Sequence, residues 1–243
     1  MRIVVIAYQP LSIWKVGEIV KYYPIYLDIR EKRCIVVGGG DVAERKILRL
    51  LECGAVVSVV SGKLTTTLVN MVEQRQISHV ADNYDQQYLS GAFLVIGATD
   101  QEEVNDRIAR DCRARGVMVN IVDDPGRCDF ILPSLVNRGS LSIAVSTDGK
   151  SPALARKLRE DLSAQFGPEY ESYLDLLGWL REMIIAAGRP ADDNRDIFTA
   201  LVNSPLHGHI RAGRWEEAGQ TIRELTAQEI DLAAFINRAG KRI

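Results

Sequence analysis

A Rossmann-like α/β fold, built on a doubly wound parallel sheet, is what this sequence predicts, followed by a small β-rich connector and a helical C-terminal domain. Three observations predict it. Strand-like and helix-like patterns alternate from residue 33 to about 122, which is the spacing of βαβ units around a parallel sheet. The first apolar run ends in three glycines, and a helix-forming run follows at once. After Pro125 the alternation stops: two strand-like runs come without a helix between them, and helical periodicity then continues to the C-terminus.

Taken in order, Cys34-Ile35-Val36-Val37 is a short β-branched run, as expected of a strand buried on both faces. Residues 41–53 read as a helix, with Leu48, Leu50 and Leu51 among its apolar positions and Gly54 as its stop. Residues 56–60 form a second strand, 64–75 a helix and 77–81 a weaker strand. Phe93-Leu94-Val95-Ile96 is a strong strand closed by Gly97-Ala98-Thr99. A helix over 101–115 ends at Gly116, and 117–122 is the last strand of the series. Phe130-Ile131-Leu132-Pro133 and 141–146 are the two further strand-like runs. Ser151-Pro152 opens a helix that continues to Phe166, since Ser is a favoured N-cap and Pro a favoured first helical residue. Residues 169–243 are helical throughout, broken near Gly188-Arg189-Pro190 and at Ser204-Pro205. The expected division is an unassigned extension over 1–22, a dinucleotide-binding domain over 23–125, the β-rich connector over 126–150 and the helical domain over 151–243.

Composition narrows the function classes. The chain has 243 residues, enough for one large domain or two modest ones. Its apolar share of 47% and charged share of 26% suit a soluble globular protein. A net charge of −2 argues against a general nucleic-acid binder. Residues 136–160 nevertheless carry a local net of +3, and 161–243 a net of −4. The basic stretch either faces an anionic ligand or is a solvated helix face. The four cysteines, at 34, 53, 112 and 128, form no CxxC pair and no disulfide framework, so a reducing cytoplasm is expected. Cys34 and Cys53 read as buried, small apolar residues. No apolar span reaches 18 residues, so no membrane helix is expected. The run MRIVVIAYQP is short, holds a polar break and lacks a small-residue cleavage site, which argues against a signal peptide.

The candidate chemistry clusters at strand ends. Gly38-x-Gly40-x-x-Ala43 at a strand-to-helix turn is a dinucleotide phosphate fingerprint. Gly38 permits the tight turn, Gly40 the approach of backbone to pyrophosphate, and Ala43 close helix–strand packing. The anion would sit on the helix N-terminus, where free N–H groups point outward. Asp41 either contacts the dinucleotide or stabilises the helix through its dipole. The acid that usually ends the second strand and holds a ribose is absent; the strand ends Ser61-Gly62-Lys63. Ser61 can bond a ribose hydroxyl, while Lys63 keeps a 2′-phosphate, and so NADP, open. Thr99 follows the fourth strand, as a ligand contact or a helix cap. Asp123 and Asp124 follow the fifth, where a carboxylate can act as general base beside a nicotinamide. Asp-Asp-Pro-Gly is also strong turn chemistry, and the local sequence alone leans to the turn. His207-Gly208-His209 is weak as a metal site without a third ligand and reads as an exposed loop; no metal is expected.

Six stretches in one order carry a resemblance: Tyr23-Pro24-Ile25-Tyr26-Leu27, the glycine turn continued through Asp41-Val42-Ala43-Glu44-Arg45-Lys46, Ala98-Thr99-Asp100, Asn120-Ile121-Val122-Asp123, Phe130-Ile131-Leu132-Pro133-Ser134 and Ser151-Pro152-Ala153-Leu154-Ala155-Arg156. Together they resemble the precorrin-2 dehydrogenase and sirohydrochlorin ferrochelatase family, the stand-alone counterpart of the N-terminal part of sirohaem synthase. The resemblance implies NAD-dependent oxidation of precorrin-2 to sirohydrochlorin, with Fe²⁺ insertion to sirohaem in bifunctional members. It implies Asp123 as the catalytic residue for both reactions, and cofactor contacts at Asp41, Val42, Gly62 and Lys63 beside Gly38, Gly40 and Thr99. Asn120, Ser151 and Arg156 are the expected substrate contacts, and a homodimer that exchanges the connector is the expected assembly. Thr147 stands where the family can carry a phosphorylated serine, which puts that regulation in doubt here. The competing class is an NAD-binding regulatory or sensor protein without turnover, its helical tail serving as the partner surface.

Overall fold

The computed structural model describes residues 21–228 together with 231, 232, 234 and 235. Most of the expected N-terminal extension and the last residues of the helical domain lie outside the described residues. The described chain divides into two compact units at Leu132/Pro133, a boundary that falls inside the segment 126–150.

The first unit is a parallel sheet of β1 (Arg33–Val37), β2 (Val56–Val60), β3 (Ser78–Ala81), β4 (Leu94–Gly97) and β5 (Met118–Ile121), in the order β3-β2-β1-β4-β5. All four pairings are parallel, so each connection must cross a face. Helices α1 (Asp41–Glu52) and α2 (Thr66–Glu73) cover one face and α3 (Glu102–Arg115) the other. On the first face Ala43, Ile47, Leu50, Leu68 and Met71 pack on Val36, Val59 and Ile96. On the second, Ile108 and Cys112 pack on Ile35, Val95 and Val119. Two-sided burial explains why the strands read as unbroken β-branched runs. The strand order reverses between β1 and β4, and ligands of such sheets bind beyond the strand C-termini at that point.

Local chemistry sets the element ends. The side chain of Thr65 caps α2, accepting from the Leu68 N–H, and Gly116, at φ +66°, ends α3. The buried stripe of α1 is Ala43, Ile47 and Leu50; Leu48 is exposed and Leu51 only partly buried, because they fall off the i, i+4, i+7 line. Cys34 is buried as expected, whereas Cys53 sits at the α1 C-cap and is exposed.

The second unit opens with the antiparallel hairpin β6 (Ser134–Arg138) and β7 (Leu141–Val145). The expected strand at Phe130-Ile131-Leu132-Pro133 does not form. Its backbone is engaged elsewhere: the Phe130 carbonyl accepts from Asn120, and Pro133 has no N–H to give a ladder. Helix α4 (Pro152–Gln165) begins as expected, the Ser151 hydroxyl accepting from the Leu154 N–H. Arg138 ties the hairpin to the end of α4 through the carbonyls of Phe166 (2.8 Å) and Ser163 (3.0 Å) and the Ser163 hydroxyl (2.8 Å). Helices α5 (Glu169–Ala186), α6 (Ala191–Asn203), α7 (Leu206–Arg211) and α8 (Trp215–Thr226) then enclose Leu176, Leu180, Ile184, Leu201, Leu206 and Ile222. The breaks fall where Gly188, Pro190 and Pro205 deny helix continuation. No described helix is long and apolar enough to cross a membrane.

Candidate functional site

Each glycine of the turn after β1 meets a different constraint. Gly38 adopts φ +123°, and a Cβ there would lie 2.2 Å from the Ala98 carbonyl oxygen at the end of β4. Gly39, the unspecified position of the fingerprint, is equally fixed: a Cβ would lie 2.1 Å from the Lys63 carbonyl oxygen. Gly40 has an ordinary φ of −84° and nothing within 4 Å of a built Cβ. Open space therefore lies against the backbone where α1 starts, and no side chain caps that helix. This is what a diphosphate requires: uncapped N–H groups, a favourable dipole and room to approach. Asp41 is exposed and Val42 half-buried in the first turn, while Glu44 accepts from the Thr65 hydroxyl at 2.5 Å and so joins α1 to α2.

Beside the turn is a cavity of about 220 Å³ lined by Gly38, Ser61, Gly62 and Thr99, among others. Of the expected cofactor contacts, Gly38, Gly62 and Thr99 meet at this cavity; Gly40, Asp41 and Val42, at the start of α1, are not among the residues that line it, and Lys63 turns its carbonyl to Gly39. The Ser61 hydroxyl donates to the Lys63 carbonyl at 2.7 Å, so its proton is used within the loop rather than held for a ribose. Thr99 does not cap α3 itself; its hydroxyl accepts from the Gln101 N–H at 3.1 Å. Asp82, Tyr84, Gln101 and Arg107 also line the cavity, and the sequence reading missed them. The available signal was the position of Asp82 directly after the third strand-like run.

The far end of the sheet carries the two aspartates, and the structure separates them. Asp124 accepts from the Gly126 N–H at 3.0 Å and pairs with Arg127 at 3.1 Å, so it makes the turn. Arg127 also meets Glu102 at 2.5 Å and Asp106 at 3.1 Å, and these carboxylates raise its pKa, the Glu102 bond foremost. Cys128 threads beneath the same turn: its thiol donates toward the carbonyls of Asp124 (3.0 Å) and Ile121 (3.2 Å), and its sulfur lies 3.2 Å from the Ile121 nitrogen. Asn120 is buried, and its amide donates to the Phe130 carbonyl at 2.9 Å. Asp123 is the residue left over. It is exposed, adopts φ +62° in the left-handed region, and makes no hydrogen bond to another described residue. Such backbone strain persists only where surrounding structure imposes it, and it concentrates at functional sites. Lys46, one turn after Val42 on α1, is half-buried within the electrostatic reach of Asp123. Burial lowers the Lys46 pKa, Arg45 adds to this, and Asp123 opposes it.

In the second unit, Ser151 caps α4, and its N–H and carbonyl both bond the Thr147 hydroxyl, at 3.2 and 3.0 Å. Arg156 is exposed and pairs with Glu160, Lys157 with Asp161, and Arg159 with Glu160. Much of the basic run is thus a solvated, self-paired helix face, because acids follow at i+4. His207 and His209 lie in α7 rather than in an exposed loop, and His207 packs against Tyr170 and Tyr173 with Glu169 at 3.6 Å. No group of three potential metal ligands occurs among the described residues.

Residues 25–134 match the family described as putative NAD(P)-binding, and residues 138–165 the family described as sirohaem biosynthesis protein central. The siroheme synthase of Photobacterium profundum is 37% identical over 205 residues, 84% of this chain and 44% of that protein. The siroheme synthase of Methylobacillus flagellatus is 35% identical over 202 residues, 83% of this chain and 43% of that protein. The chain spans less than half the length of these curated relatives. Among solved structures, SirC, a precorrin-2 dehydrogenase, superposes with a TM-score of 0.69 at 25% identity, over 84% of this chain and all of that one. The chain belongs to the siroheme synthase and precorrin-2 dehydrogenase family. Its first family match contains the glycine turn, the cavity and Asp123; its second contains the hairpin strand β7 and all of α4, with Ser151 and Arg156.

Proposed function

We propose that this protein oxidises precorrin-2 to sirohydrochlorin with NAD. NAD, when bound, supplies the hydride acceptor. The reaction removes two electrons and two protons from the tetrapyrrole: one proton leaves with the electron pair as hydride, and Asp123 accepts the other. The observation that carries this reading is Asp123 itself, an exposed, unbonded carboxylate in left-handed backbone on the same sheet edge as the glycine turn. Asp124, Arg127 and Cys128 act through the turn they brace; Asn120, expected at the substrate, is buried and gives its amide to the Phe130 carbonyl, so it braces the same segment instead. Lys46 supplies a cation near Asp123 that suits a polycarboxylate substrate, and its partial burial strengthens that attraction. Gly38, Gly40, Asp41, Val42, Gly62, Lys63 and Thr99 hold the dinucleotide, and Ser151 and Arg156 serve the substrate.

We further infer that Fe²⁺ enters sirohydrochlorin as a second substrate; two pyrrole protons leave as it does, Asp123 accepting one and solvent the other. Two copies pair through the connector: a lone two-stranded hairpin is marginal, and Leu154 and Leu158 present an exposed i, i+4 apolar pair on the helix beside it. Light scattering checks that assembly. Unpaired thiols at all four cysteines support a cytoplasmic setting.

The decisive experiment follows the absorbance of precorrin-2 with NAD. The wild-type chain is expected to turn over. Asp123→Asn is expected to lose about 10²- to 10⁴-fold in rate, the range of general-base catalysis, while retaining NAD binding. Normal turnover by that variant would overturn the assignment.

A further inference from the structure

The acid that normally holds the adenosine ribose at the end of the second strand is missing, yet the neighbouring strand supplies one. We propose that Asp82, directly after β3, takes that place: its carboxylate accepts hydrogen bonds from the ribose hydroxyls and selects NAD over NADP. The inference rests on the reading that the glycine turn holds a dinucleotide.

Several observations carry it. The Ser61 N–H donates to the Ala81 carbonyl at 2.9 Å, so the residues leaving β2 and β3 are neighbours on one sheet edge. Asp82 lines the same cavity as Gly38, Gly62 and Thr99. Gly62 has no side chain to cover it: a Cβ there would lie 3.6 Å from the Asp82 carbonyl oxygen and 3.8 Å from its Cβ. An acid-bearing second strand would put its carboxylate close to this place, so the glycine and the displaced acid go together.

The carboxylate is available to a ligand. Its side chain is 73% exposed, and His79 Nε2 lies 3.6 Å from its carboxylate. That nitrogen also lies 2.8 Å from the Ser61 carbonyl oxygen, which makes it the proton-bearing nitrogen and directs its hydrogen to the loop. Arg107, the cation of the cavity, leans over the Tyr84 ring and reaches the Tyr84 carbonyl at 3.5 Å. An acceptor-only carboxylate matches two hydroxyl donors. Beside a 2′-phosphate it faces like charge, which discriminates against the phosphorylated cofactor.

Calorimetric titration of the full chain with NAD and with NADP tests this without turnover. The wild-type chain is expected to bind NAD at least about tenfold more tightly than NADP, and Asp82→Asn to weaken NAD about tenfold and to narrow the preference. Unchanged NAD affinity and an unchanged ratio in the variant would overturn the role of Asp82 while leaving the dinucleotide site standing. Preference of the wild-type chain for NADP would also overturn it. Binding of neither dinucleotide would overturn the underlying reading as well. Asp82 is exposed, and circular dichroism of the variant verifies its fold.

Discussion

Gly39 and Gly40 stand side by side and are required for different reasons. Replacing Gly39 drives a methyl group into the Lys63 carbonyl, whereas Gly40 faces open space. Gly39→Ala is therefore expected to lower stability by about 1–3 kcal/mol, the cost of overpacking, read as a lower melting temperature without ligand. Gly40→Ala should melt as the wild type does and lose NAD affinity instead, because its methyl group occupies the path of the diphosphate. Titration and melting curves of the two variants separate the roles. The fingerprint made Gly38, Gly40 and Ala43 legible in the sequence. It said nothing of Gly39, since the atom that excludes a side chain there comes from a different loop. Asp123 and Asp124 show the same limit: as adjacent acids before Pro125 they are alike in local chemistry, and only the family resemblance singled out Asp123. Arg127 and the Gly126 N–H claim one and leave the other exposed.

At the scale of elements, most boundaries were local and therefore readable. Ser151-Pro152 is an N-cap followed by a first-turn proline, and α4 begins there. Ser151→Ala is expected to cost about 1 kcal/mol through loss of the cap, measurable by urea denaturation. Because its backbone also bonds the Thr147 hydroxyl, Thr147→Val should cost a similar amount. The element that failed was the strand at Phe130-Ile131-Leu132-Pro133. Its apolar run is real, but a strand needs a partner for its backbone groups, and here Asn120 takes the Phe130 carbonyl. The histidine pair failed in the opposite sense: glycine between the two suggested a loop, and packing of α7 on α5 outweighed that weak propensity.

For the whole molecule, the buried thiols give stability a pH dependence. Burial pushes the Cys34 thiol from 9.0 up to about 11 and the Cys112 thiol up to about 12. The folded chain keeps both protonated above the pH at which the unfolded chain releases them. Their contribution is whole below about pH 9 and is lost as the pH rises toward 11 and 12. Denaturation midpoints under reducing conditions should fall over that window, and Cys112→Ala should flatten the fall. The sequence by itself determined the layered α/β class, the order of its elements and the glycine turn, because those depend on periodicity, chain punctuation and residues adjacent in the chain. Tertiary structure alone decided that Asp123 and not Asp124 stays free, that Lys46 comes within reach of it, and that Asp82 lines the cavity opened by Gly62. The first rests on how the turn folds Gly126 and Arg127 back onto Asp124; the other two rest on a parallel sheet that brings elements tens of residues apart in the chain to one edge.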